Sequence, residues 1–148
     1  MKRIKKTTVF LLSALLLVAV SQCATVVAAE EFGEKHPIDV EFEKRIDADP
    51  STAGMIKASL WAEKEWDKLL NENYKALMKK LDKESGEKLR KSQKEWIKFR
   101  GLEFGFIQEF YRGFDGSMYR TMAAGFQADF VRERALSLGL RLGDLADK

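Results

Sequence analysis

Between residues 53 and 81 apolar side chains return every three or four positions: Met55, Ala62, Trp66, Leu69, Tyr74, Leu77 and Leu81. That spacing lays them along one broad stripe of an α-helix, and after Gly54 neither proline nor glycine interrupts it. At 1.5 Å per residue the rod is about 40 Å long. Asp49-Pro50-Ser51-Thr52 marks its start, because Asp or Ser caps free amides and proline suits a first turn. Asp82 to Gly86 is polar enough to break the rod, with Asp82 or Ser85 capping the next one. A second rod runs from Glu87 to about Tyr111, with Leu89, Gln93, Trp96, Arg100, Glu103, Ile107 and Phe110 in steps of three and four. Gly113 to Ser117 closes it, and Met118, Met122, Phe126, Phe130 and Leu138 form the apolar face of a third. Upstream, Val40 to Asp47 reads as a short helix with Phe42 and Ile46 at i,i+4, after a charged tether containing Pro37. Residues 139–148 are expected to fray. Nothing alternates with period two. The pattern predicts an all-α fold, an antiparallel bundle of three long helices with a short leading helix, the first two rods forming a hairpin.

The first 29 residues have a different pattern. Lys2, Arg3, Lys5 and Lys6 precede an apolar run from Val9 to Val20, then a polar break and small residues ending at Ala28-Ala29. This is the order of a secretory signal, cleaved after Ala29 or after Ala28. The run is about 12 residues, too short to span a bilayer, which takes ~20. Cys23, the only cysteine, offers lipoprotein attachment as the lesser alternative, since Gln22 stands where a small residue is wanted. The expected organisation is a signal peptide over 1–29 and one helical domain over 30–148, periplasmic or secreted. Removing four basic residues and no acidic ones brings 26 Lys+Arg against 23 Asp+Glu to a formal −1. The basic character of the whole chain therefore belongs to the signal and is no argument for nucleic acid. Without a cysteine after Cys23 the domain has no disulfide to lean on.

Three polar residues interrupt the apolar stripes. Gln93 and Arg100 share a stripe with Leu89, Trp96 and Ile107, and Asn73 lies within four residues of both Leu69 and Leu77. Amides and guanidinium groups at such positions are costly unless paired, so an internal polar network is expected, with Asp67, Glu63 and Glu103 as acceptors for Arg100. Such a network fixes helix register, as a polar seam residue does in coiled coils; the alternative is a small polar pocket between rods.

Catalytic chemistry finds no footing. His36, the only histidine, lies beside Pro37 in the leading segment, and no serine sits in a G-x-S-x-G or S-x-x-K context. No catalytic, cofactor or metal site is read from the sequence, and the chain is expected not to be an enzyme. Lysines 75, 79, 80, 83, 88, 91, 94 and 98 crowd the junction of the first two rods, with Asp82, Glu84, Glu87 and Glu95 among them to balance the charge. Phe104, Phe106, Phe110 and Tyr111 wrap more than one face of the second rod, so part of that aromatic surface is left over for a partner. Gly101 and Gly105, four apart, are expected to let a neighbouring helix approach closely.

Trp66 to Met78, then Gln93, Trp96, Phe99 and Arg100, resembles the lysozyme-inhibitor LprI-like family, whose signature joins an L-N-x-x-Y-like element to a Q-x-x-W-x-x-[FY]-R element. The likeness runs from about His36 to Gly125. The asparagine of the first element is Asn71 or Asn73. Relatives carry paired cysteines where this chain has Arg45 and Ala58, and none occurs from Leu102 to Phe104, so packing has to replace those crosslinks. The resemblance implies a helical envelope protein that acts by binding, with lysozyme or another envelope protein as partner. A non-enzymatic module that holds cell-wall polymer or a membrane partner through the lysine-rich end is the other reading. Lysozymes are commonly cationic with an open acidic cleft, so an inhibitor needs an acidic face or a protruding element. The turn carrying Phe114 and Asp115 is the expected partner-binding loop; the basic end would repel such a target.

Overall fold

The first three helices each begin where a side chain meets free amides. The computed structural model describes residues 35–146, so the expected signal segment and Cys23 lie outside the described residues. Four helices succeed one another, α1 Pro37–Ala48, α2 Thr52–Lys80, α3 Lys83–Arg112 and α4 Ser117–Asp144, and no strand occurs among the described residues. The His36 ring accepts at Nδ1 from the Ile38 amide (3.2 Å), and Pro37 takes the first helical position, so α1 starts ahead of the expected Val40. Ser51 Oγ accepts from the Gly54 amide at 3.0 Å. Asp82 Oδ1 accepts from the Ser85 amide at 2.8 Å, which starts α3 at Lys83 and not at Glu87. The α4 helix continues to Asp144 where fraying was expected, because Leu142 and Leu145 still pack against the core.

The main packing pair is α2 with α4. Ala58, Ala62, Trp66, Leu70 and Leu77 of one face Ala124, Ala128, Val131, Ala135 and Leu138 of the other, all buried. Alanines on both helices let the backbones come close, and burial of each large apolar chain is worth roughly 1.5–3 kcal/mol. The close approach is visible at Gly139, where an added Cβ would stand 3.1 Å from the Asn73 amide nitrogen. The expected α2–α3 hairpin is thus not the principal contact. Bulky rings hold α3 further out, where it leans on α4 through Trp96 and Phe104 against Phe130, at centroid distances of 5.5 and 6.1 Å. Cross-helix pairs fix how it lies: Asp67 with Arg100, Gln93 with Arg134, Phe104 with Gln127, Tyr111 with Tyr119.

No residue of α1 is fully buried, yet the helix is firmly docked. Ile38 and Phe42 pack against the core, and the His36 ring lies 4.5 Å from that of Trp66. Arg132 of α4 donates from Nε and Nη2 to the Asp39 carboxylate at 3.0 and 2.7 Å, with its guanidinium carbon 5.4 Å from the Trp66 ring. Arg45 stands 4.2 Å over Trp61, and Ala58 is part of the core, so a cation–π contact and packing hold α1 and α2 at these two positions. The glycine expectation is overturned. Gly101 and Gly105 face open space with nothing within 4 Å of an added Cβ, because they lie on the outer side of α3. The crowded glycine is Gly54, where a Cβ would stand 2.1 Å from the Asp49 carbonyl oxygen.

Candidate functional site

Of the thirty residues in α3 only Gly86, Gln93 and Ile107 are buried. Its apolar residues divide accordingly. Trp96, Phe99 and Phe104 reach Phe130, while Leu102, Phe106 and Phe110 recur at steps of four along the open side. Leu102 is 74% exposed and Phe106 61%, an unusual amount of bare hydrocarbon for one helix.

The ridge continues into the turn between α3 and α4. Gly113 and Phe114 donate their amides to the carbonyls of Phe110 and Tyr111. Gly116 then takes φ +116°, a conformation that side chains resist, and α4 starts with no side-chain cap. This folding back stacks rings from both helices. Phe106 meets Phe110 at 5.7 Å, Phe110 meets Phe114 at 5.2 Å, and Phe114 meets Tyr119 at 4.8 Å. Tyr111 stacks on Phe126 at 5.7 Å. Phe114 and Asp115 both lie exposed at the tip.

Two hollows flank the rings. One, of about 620 Å³, lies under the tip and is lined by Tyr111, Phe114, Asp115, Arg112 and Arg120 among others. The other, of about 350 Å³, runs between α3 and α4 over Phe106, Phe110, Phe126 and Phe130, with Glu103, Asp129 and Glu133 around it. Apolar surroundings push the Asp129 carboxyl above the ordinary carboxylate range; Arg132 pulls it back, and Glu133 and Asp39 push it further up.

The three seam residues do not meet one another. Asn73 Nδ2 donates to the Ala135 carbonyl of α4 at 3.0 Å. Gln93, buried, accepts at Oε1 from Arg134 Nε at 3.1 Å. Arg100 donates to Asp67 at 2.5 Å, across α2 and α3. Each is a separate bridge between two helices. Of the three acceptors expected for Arg100, Asp67 takes it, with Glu63 near enough for its carboxyl to feel the guanidinium. That leaves Glu103 to the groove. Asp129 and Glu133 carried no signal of their own in the sequence, although their spacing beside Phe126 and Phe130 puts all four on one side of a helix. Among the described residues no three His, Cys, Asp or Glu side chains are gathered to hold a metal ion, and no helix is long and apolar enough to cross a membrane.

The family model described as lysozyme inhibitor LprI matches residues 44–138, from the end of α1 through most of α4. The chain belongs to the LprI family. The match takes in Asn73, Gln93 and Arg100 together with Phe114 and Asp115, so bridges and tip alike lie within the LprI domain. Among solved structures the chain is similar to an uncharacterized protein from Burkholderia thailandensis, with 27% identity and a TM-score of 0.73. The alignment covers 78% of this chain but only 58% of that protein, so the LprI fold here spans less than two thirds of its length. No curated protein matches.

Proposed function

We propose that this LprI protein is exported, works without catalysing a reaction, and binds and inhibits a lysozyme through the aromatic end of α3 and α4. In this reading the three long helices form an antiparallel bundle, with α2 and α4 pointing one way and α3 the other, that holds the binding end rigid. The signal-like order of residues 1–29 supports export, as does the name of the family. The observation that carries the reading is the continuous exposed ridge Phe106–Phe110–Phe114, which the bundle leaves uncovered. A run of bare rings at a protruding turn is the shape that fills an open cleft, and Asp115 and the groove carboxylates give it the sign to meet a cationic enzyme.

The opposite end fits this role poorly. There Lys88, Arg90 and Lys98 are already paired with Glu84, Glu87 and Glu95 on their own helix, so its basic surplus is partly neutralised. The deciding experiment is cell-wall lysis by chicken-type and goose-type lysozymes with purified protein at micromolar concentration. Inhibition of either, lost in a Phe106→Ala/Phe114→Ala variant that keeps its helicity, is the expected result. Full lytic activity of both enzymes, with no binding by calorimetry, would leave the module that holds cell-wall polymer through its lysine-rich end as the better reading.

A further inference from the structure

The groove between α3 and α4 has a floor and a rim of different chemistry. Its floor is the aromatic side chains of Phe106, Phe110, Phe126 and Phe130, and its rim is Glu103, Asp129 and Glu133. An apolar floor alone would accept any hydrocarbon side chain. The rim changes that, because none of the three carboxylates makes an ion pair or hydrogen bond among the described residues. Arg132 is close enough for Asp129 to feel its charge but gives its hydrogen bonds to Asp39, and Arg100 gives its own to Asp67. Ring faces are the negative pole of the aromatic quadrupole and attract a cation from below, while carboxylates attract it from the sides. A lysine or arginine side chain satisfies both, since its aliphatic stem lies on the rings and its charged head reaches the rim. An acidic or neutral polar group satisfies neither.

We infer that this groove is the seat for an arginine or lysine side chain of a protein partner, held between the Phe106, Phe110 and Phe126 rings and the carboxylates of Glu103, Asp129 and Glu133. The inference rests on the proposed role as a binder of a cationic enzyme, and it names the chemistry by which the partner is gripped beside the tip. An α3–α4 groove of about 350 Å³ admits one such side chain and not a folded element, so it is an anchor within a larger interface.

The test uses the full-length chain and two small probes, N-acetylargininamide and N-acetylleucinamide, monitored by amide chemical shifts. Saturable shifts at Phe106, Phe110 and Phe126 with the arginine probe only are expected. The triple variant Glu103→Gln/Asp129→Asn/Glu133→Gln should weaken that binding at least about tenfold. Phe126→Leu, which removes a ring but no charge, should weaken it as well, and serves if the triple variant loses its helicity. Equal shifts with the leucine probe would show a merely apolar groove and overturn the inference. So would shifts that depend on protein concentration alone, since a second copy of the chain would then be the occupant. Lysozyme binding separates the two claims. Arginine seated in the groove without any effect on lysozyme removes the inhibitor reading only, whereas inhibition that survives the triple variant unchanged removes the anchor only.

Discussion

Arg100 looks from the sequence like a sealed ionic seam, but its partner Asp67 keeps 41% of its side chain exposed. Water replaces a lost guanidinium there at small cost, so Arg100→Ala should destabilise the protein by only about 1 kcal/mol, against the several expected of a buried pair. Urea unfolding of variant and parent checks it; a loss of about 3 kcal/mol or more would mean that Asp67 is stranded. Glu63, close by, carries the opposite balance. Burial raises its carboxyl above the ordinary value, Arg100 lowers it, and Asp67 raises it again, with the net shift upward. A group whose folded pKa is raised binds its proton more tightly when native, so stability falls as pH rises through the window above the unfolded value. Ionised Glu63 therefore costs stability at neutral pH. Glu63→Gln, which imitates the protonated form, should melt higher than the parent near neutral pH. The gap should close below about pH 4, where both folded and unfolded carboxyls are protonated. Thermal melts across that range would contradict the account if the variant were the less stable at neutral pH.

Helices α1 and α2 meet at a corner made by Asp49, Ser51 and Gly54. Asp49 accepts from the Ser51 amide at 3.2 Å and Ser51 caps α2, while the Asp49 carbonyl oxygen occupies the space a Gly54 side chain would need. A methyl group at Gly54 would collide with the Asp49 carbonyl oxygen at 2.1 Å as well as with the Asp49 carboxylate, and the backbone clash cannot be relieved by turning a side chain. Gly54→Ala should then cost about 2–3 kcal/mol despite alanine's better helix propensity, and should loosen the packing of Phe42 and Ile38. An unchanged denaturation midpoint would show that the corner opens freely. The helices themselves were legible, since their stripes and caps are local: Ser51 and Asp82 announce α2 and α3 within four residues. What could not be read was which helix packs on which. The stripe containing Trp66 and Leu77 is equally suited to α3 or α4, and the choice falls to α4 because its contact face carries Ala124, Ala128 and Ala135. Likewise Gly101 and Gly105 read as a place of close helix approach from spacing alone, and only the placement of α3 outside the tight pair puts them on the surface. Phe114 and Asp115 were legible as a tip; the groove beside them needed two helices brought together.

Across the molecule anchorage is uneven. The α2–α4 pair holds nearly all the fully buried side chains, and α3 holds on through rings and a few polar bridges. Hydrogen exchange of central α3 amides should be faster than that of α2 and α4, by a factor of roughly ten or more, because local opening scales with how little a segment buries. Equal protection along all three would mean they open together. Bound lysozyme should slow exchange in the second half of α3 most of all, if the ridge is where it docks.

The bond from Asn73 to the Ala135 carbonyl joins residues 62 apart, and the whole of α3 lies in the loop it closes. A bundle whose neighbours in sequence were its main partners would gather by short steps, each helix folding back on the one before. Here the core cannot form until the last helix has been made and brought alongside one synthesised about sixty residues earlier. Closing so long a loop is an entropic barrier that local helix formation cannot lower. The chain should therefore fold slowly for a helical protein of its size, with α3 already helical and its rings bare to solvent while it waits.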